Sequence, residues 1–169
     1  PKGLVGSEMC IRDSSYMFVS KGGELHDSKS YNYAHVGVYF GILGLLTGMF
    51  WAKYTWGTYW TNDPKLNGSA IGLLIYFGYF ILRSSIEDES KKGKISSVYN
   101  VFAFSMLIPL IFILPRLTDS LHPGNGGNPG FNVYDMNSQL RLVFYPAVTG
   151  FIFLGLWISD LRLKMLKLK

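Results

Sequence analysis

Four apolar runs decide what this chain is able to fold into. They cover residues 33–51, 69–86, 95–114 and 142–161. Each is close to the ~20 residues that a helix needs to cross ~30 Å of hydrocarbon. In hydrocarbon a single segment must satisfy its own backbone N–H and C=O groups, so such runs are helices. The chain is 49% hydrophobic and only 16% charged, which is too apolar for an ordinary soluble domain. The predicted fold class is all-α, a polytopic integral membrane helix bundle. Four transmembrane helices make one domain of the 169 residues.

The stretches between the runs set the organisation. Residues 1–15 (PKGLVGSEMCIRDSS) show neither sustained apolar periodicity nor a signal-peptide pattern. They are expected to be foreign to the fold or disordered. The first residue is Pro1, so the chain reads as a fragment. Residues 16–32, with Gly22-Gly23, are predicted to be a cytoplasmic loop. In the first run Gly37, Gly41, Gly44 and Gly48 share one helix face, where another helix should approach closely. Asn100 should face protein, Pro109 should kink the third run, and Pro146 should break the fourth near its start. Residues 83–94 are a charged connection and 115–139 a long loop containing HPGNGGNPG. Residues 162–169 form a basic tail.

Positive charge gives the orientation. Lys2, Arg12, Lys21, Lys29, Arg83, Lys91, Lys92, Lys94, Arg162, Lys164, Lys167 and Lys169 fall on one side of a four-helix topology. Only Lys53, Lys65, Arg116 and Arg141 fall on the other, a split of 12 against 4. The positive-inside rule puts the C-terminus in the cytoplasm. Because the basic residues lie in short tracts between apolar runs, the net charge of +5 implies no nucleic-acid partner. Membrane lipid is the partner that composition dictates.

Two features share the outer face. Residues 51–64 (WAKYTWGTYWTNDP) hold three of the four tryptophans, and the last long loop holds His122. Trp and Tyr form interfacial belts without binding anything, and a lone loop histidine is usually solvated. Here, however, the aromatics continue past the membrane edge. Trp56, Tyr59 and Trp60 have i, i+3, i+4 spacing, so a short interfacial helix would present them as a flat apolar platform. Pro123-Gly124 would hold the imidazole clear of its helix. Neutral imidazole is a common iron ligand. Arg116, Lys65 and Arg141 flank these segments and could pair with carboxylates. Platform, axial nitrogen and cations together match a haem site better than any other cofactor site, though their spacing alone does not establish one.

WGTYWTNDP resembles the tryptophan-rich segment of the CcmC haem-handling family of cytochrome c biogenesis, whose pattern reads W-G-x-W-W-x-W-D. TDSLHPG is similar to that family's histidine-bearing outer loop. The resemblance runs from about Tyr33 to Leu161, making 33–161 a transmembrane haem-handling domain. It implies a protein of the bacterial inner membrane that holds b-type haem transiently at the periplasmic face. It also implies delivery to a periplasmic haem chaperone and association with ABC transporter subunits of the maturation system. Trp56, Gly57, Trp60 and Asp63 match the motif, and His122 matches an axial histidine, the metal ligand. Tyr59 and Asn62 stand where the pattern has Trp, which predicts a smaller or more polar platform. Tyr59 and Arg116 complete the expected haem-binding set. The family fold has six helices, and its first axial histidine lies on a loop before the helix matching 33–51. The charge count puts His26 and His35 on the cytoplasmic side, so this fragment alone is not expected to give a bis-histidine spectrum.

Other classes fit less well. A small-solute transporter or channel would need polar groups along the helix interiors, where the middle of the runs offers Thr47, Asn100, Ser105 and Thr149 and no carboxylate pair. A structural scaffold docking a partner through the Trp segment would need no haem at all. Enzymatic catalysis is not expected, because no phosphate loop, zinc spacing or hydrolytic constellation is recognisable. The sole cysteine, Cys10, gives no disulfide and no haem-attachment motif.

Overall fold

A computed structural model describes residues 2–21, 24–118, 120–122 and 137–167, with the side chains of 10–20, 26–89, 91–118, 120–122 and 137–166. Every element among the described residues is helical: α1 Lys2–Lys21, α2 Glu24–Trp56, α3 Pro64–Ser85, α4 Glu89–Leu107, a π-helical turn Ile108–Ile113, α5 Leu114–Leu117 and α6 Ser138–Lys167. Four stretches are long and apolar enough to cross a membrane: His26–Trp56, Pro64–Ser85, Lys91–Leu117 and Ser138–Leu166. The all-α polytopic bundle is therefore present, with three of the apolar runs inside these spans and the 69–86 run passing the end of its span by one residue, Ile86.

The helices start and stop for local reasons. At the start of α3 the Asp63 carboxylate accepts from the N–H groups of Lys65 and Leu66, with Pro64 in the first turn. Pro109 widens the third span instead of merely bending it. Proline cannot donate to the turn behind it, and the Leu114 N–H reaches five residues back to the Pro109 carbonyl. Pro146 lies inside a continuous α6 and does not end it.

Between bilayer-embedded helices, close packing and polar contacts do the holding. Tyr76, Tyr79 and Leu73 of α3 pack with Ala34 and Val38 of α2 and with Ala103 and Leu107 of α4. Asn100 is fully buried and donates to Ser30 Oγ at 2.8 Å, so it faces protein as expected. Asn32 donates to the Ser159 carbonyl at 2.7 Å and ties α6 to α2. At one end of the bundle Arg83 donates to both Asp27 carboxylate oxygens and lies 4.8 Å over the Tyr31 ring.

Several expectations need correction. Residues 2–15 belong to α1, not to a disordered leader; Ile11 and Ser15, one turn apart, are both fully buried, and Ser15 bonds Ser30 at 2.6 Å. The predicted 16–32 loop is helical at 16–21 and again from Glu24, while Gly22-Gly23 lies outside the described residues. Arg83 sits in α3 and turns inward to Asp27, so the 83–94 connection shrinks to residues 86–88. Among the described residues the glycine face of α2 meets no neighbour in the half nearer the Trp segment: a Cβ on Gly44 or Gly48 would find nothing within 4 Å. The α2–α6 contact lies lower, at Phe40, which approaches Phe151 and Gly155.

Candidate functional site

The aromatic segment begins as helix and ends as irregular chain. Gly57 has φ +81°, a left-handed conformation that favours glycine, and its N–H bonds the Lys53 carbonyl at 3.1 Å. This cap ends α2 at Trp56. The predicted interfacial helix over Trp56, Tyr59 and Trp60 is therefore absent, and those three side chains do not share a helical face. Tyr59 packs edge-on to Phe50 at 6.1 Å, beneath Lys53 Nζ at 5.4 Å. Trp60 is exposed and makes no ring contact among the described residues. Asn62 accepts from Asn67 Nδ2 at 2.7 Å and braces the first turn of α3.

The platform lies one turn further back. Trp51 and Trp56 meet edge-to-face, with ring centroids 5.1 Å apart and planes at 77°. Both lie against the His122 imidazole, Trp56 at 4.8 Å and 81°, Trp51 at 6.2 Å and 34°. The structure thus brings Trp56, Gly57, Asp63 and His122 together at one end of the bundle and adds Trp51. Arg116 is exposed on α5 and bonds to none of these residues among those described. Pro123-Gly124, Asp119 and most of the HPGNGGNPG segment fall outside the described residues.

Asp63 joins the two loops. Its side chain is fully buried. Oδ1 accepts from Lys65 N at 2.9 Å and Leu66 N at 3.3 Å, and contacts His122 Nδ1 at 2.9 Å. Oδ2 accepts from Ser120 Oγ at 2.8 Å and Leu121 N at 2.7 Å. The Ser120 hydroxyl also accepts the His122 N–H at 3.2 Å. Ser120 was invisible in the sequence, because nothing in local spacing links it to a carboxylate 57 residues earlier. Trp51 was visible only as part of the aromatic cluster.

Electrostatics follow from this packing. Burial raises the Asp63 carboxyl pKa, but the bonds from Ser120 and Leu121, the facing imidazole and the Lys65 N–H outweigh it, leaving the group below the usual Asp range. Burial lowers the His122 pKa, Asp63 opposes that by charge and hydrogen bond, and Lys65 adds to the lowering. The net direction is down, so the imidazole is neutral at neutral pH. An ionised carboxylate only accepts, so Nδ1 carries the proton and Nε2 keeps its lone pair. The arrangement offers one nitrogen ligand beside two indoles, which fits one axial position of a haem iron. It is not a nucleophile–base pair, because Ser120 Oγ donates to Asp63 and not to the imidazole.

The sequence pattern of a family described as Cytochrome C assembly protein matches residues 19–122, from the end of α1 to the histidine itself. Among curated proteins, Heme exporter protein C of Haemophilus influenzae is 26% identical over 140 residues, 80% of this chain and 54% of the relative. Heme exporter protein C of Bradyrhizobium diazoefficiens is 27% identical over 135 residues, 79% of this chain and 51% of its own length. That of Rhodobacter capsulatus is 32% identical over 96 residues, 54% of this chain and 38% of the relative. The chain spans about half the length of the first two. With more than half of its residues matched, the chain belongs to the cytochrome c assembly protein family, of the CcmC type.

Proposed function

We propose that this chain holds haem as cargo at the membrane face where Trp51, Trp56 and His122 meet, with His122 Nε2 as an iron ligand. The single observation that carries this reading is the commitment of His122 Nδ1 to Asp63, with two indole rings packed beside the imidazole. A histidine ligand to iron characteristically has its second nitrogen bonded to a carboxylate or carbonyl. The two indoles, with planes 77° apart, supply an angled apolar border for a porphyrin, and Lys65 and Arg116 supply positive charge on the same end for its carboxylates. The names of the relatives support haem as the ligand.

In this reading the haem is b-type and transiently held, and the chain makes no bonds of its own. The face is periplasmic, the C-terminus is cytoplasmic and the membrane is the bacterial inner membrane, as the positive-charge split supports. Haem passes to a periplasmic haem chaperone, alongside ABC transporter subunits of cytochrome c maturation.

The test is a haemin titration of the purified full chain in detergent or nanodiscs, followed in the Soret region. The wild type should bind haemin through one histidine, and His122→Ala should weaken binding at least tenfold. Undiminished haem binding by His122→Ala would remove the proposal.

A further inference from the structure

We infer that Asp63 and Ser120 are positioning residues for the His122 ligand, with a separate task for each oxygen of the carboxylate. This rests on the haem reading above, and it moves Asp63 from the haem-contacting set to a buried place behind the imidazole. Five polar atoms converge on a side chain with no solvent access. A group so saturated has no lone pair left to offer a ligand. Its bonds instead run to two segments far apart in sequence.

Oδ1 starts α3 and fixes the imidazole tautomer in one contact set. The helix N-terminus anchors the oxygen, so the imidazole is oriented relative to a membrane-embedded helix and not to its own loop. Oδ2 docks the loop through Ser120 Oγ and Leu121 N. Ser120 then accepts the His122 backbone N–H, which sets the direction in which the side chain leaves. The carboxylate charge on Nδ1–H also makes Nε2 a stronger donor to a metal.

Asp63→Asn separates these tasks. Asparagine caps a helix as well as aspartate does, so α3 should still start there. The amide must, however, turn an N–H toward either Leu121 N–H or His122 Nδ1, and it carries no charge. Haemin affinity of the full chain in nanodiscs should fall about 10–100-fold. In the ferrous form the iron–imidazole stretching band should move to lower frequency. Ser120→Ala keeps the Nδ1 contact and loses part of the docking. It should weaken haemin binding on the order of tenfold, with the band in place.

A purely structural role would reduce haem content without moving the band. Wild-type affinity and band position in Asp63→Asn would overturn the inference, as would a band shift of equal size in Ser120→Ala. If Asp63→Asn loses its helical circular dichroism, Ser120→Ala decides alone, and unchanged affinity there overturns the docking role. Failure of the haem reading itself shows elsewhere, in His122→Ala retaining haemin.

Discussion

The proposed iron ligation by His122 requires a neutral imidazole, and the surroundings of His122 decide at which pH it is neutral. Burial lowers its pKa, against the opposing pull of Asp63. The ordinary value is about 6.5. In the folded protein the imidazole therefore takes its proton only below that, and haem binding should be lost as pH falls through this lowered value. A haemin titration across pH should place the acid limb below about 6.5; a limb at or above it contradicts the burial. For stability the sign is the same. The unfolded chain takes up the His122 proton first as pH falls, so the folded state weakens below about 6.5. Asp63 acts lower down: its depressed pKa contributes stability that is present above the usual Asp range and lost as pH falls through the folded value.

Helix contacts are where glycine matters in this bundle. A Cβ on Gly68 of α3 would lie 2.4 Å from the Leu110 carbonyl oxygen of the π-helical turn. That oxygen belongs to the backbone and has no rotamer to escape to. Gly68→Ala should therefore force α3 and the third span apart, costing about 1–3 kcal/mol. Among the described residues a Cβ on Gly72 would meet only Leu107 Cδ2, the movable end of a side chain, at 2.7 Å, and one on Gly44 would meet nothing within 4 Å. Thermal unfolding in detergent should rank Gly68→Ala well below Gly72→Ala, with Gly44→Ala near wild type. Equal midpoints for Gly68→Ala and Gly44→Ala would contradict the close approach. The same elements show what was legible. Run lengths gave the four spans, because hydrophobic length is a property of one segment. The i, i+3, i+4 spacing of Trp56, Tyr59 and Trp60 misled, because a cap at Gly57 interrupts the period; glycine following a helical run was the available signal. The burial of Ile11 and Ser15 and the Asp27–Arg83 pairing were not legible, since each depends on a partner brought close only by the fold.

At the scale of the molecule, the two polar constellations sit at opposite ends of the bundle. Asp27 and Arg83 lie near the first end of α2 and the last turn of α3, while Asp63 and His122 lie beyond the other ends. α2 has 33 residues, about 50 Å of helix, longer than the ~30 Å hydrocarbon, so both of its ends reach past the apolar layer. A single sidedness then governs the function, because the Trp segment and the histidine loop must open to one compartment and the basic tail to the other. Single cysteines at Asn62, Thr118 and Met165, introduced into a Cys10→Ser background, probe this directly; all three positions are exposed. An impermeant maleimide applied to cells with a permeabilised outer membrane should label Asn62→Cys and Thr118→Cys. Met165→Cys should react only after the inner membrane is opened. Reaction of Met165→Cys from outside, together with protection of the other two, would invert the orientation while leaving the site assembled. Reaction of Asn62→Cys and Thr118→Cys from different compartments would separate Asp63 from His122 and dismantle the site, because the 2.9 Å contact between them requires both loops to emerge together.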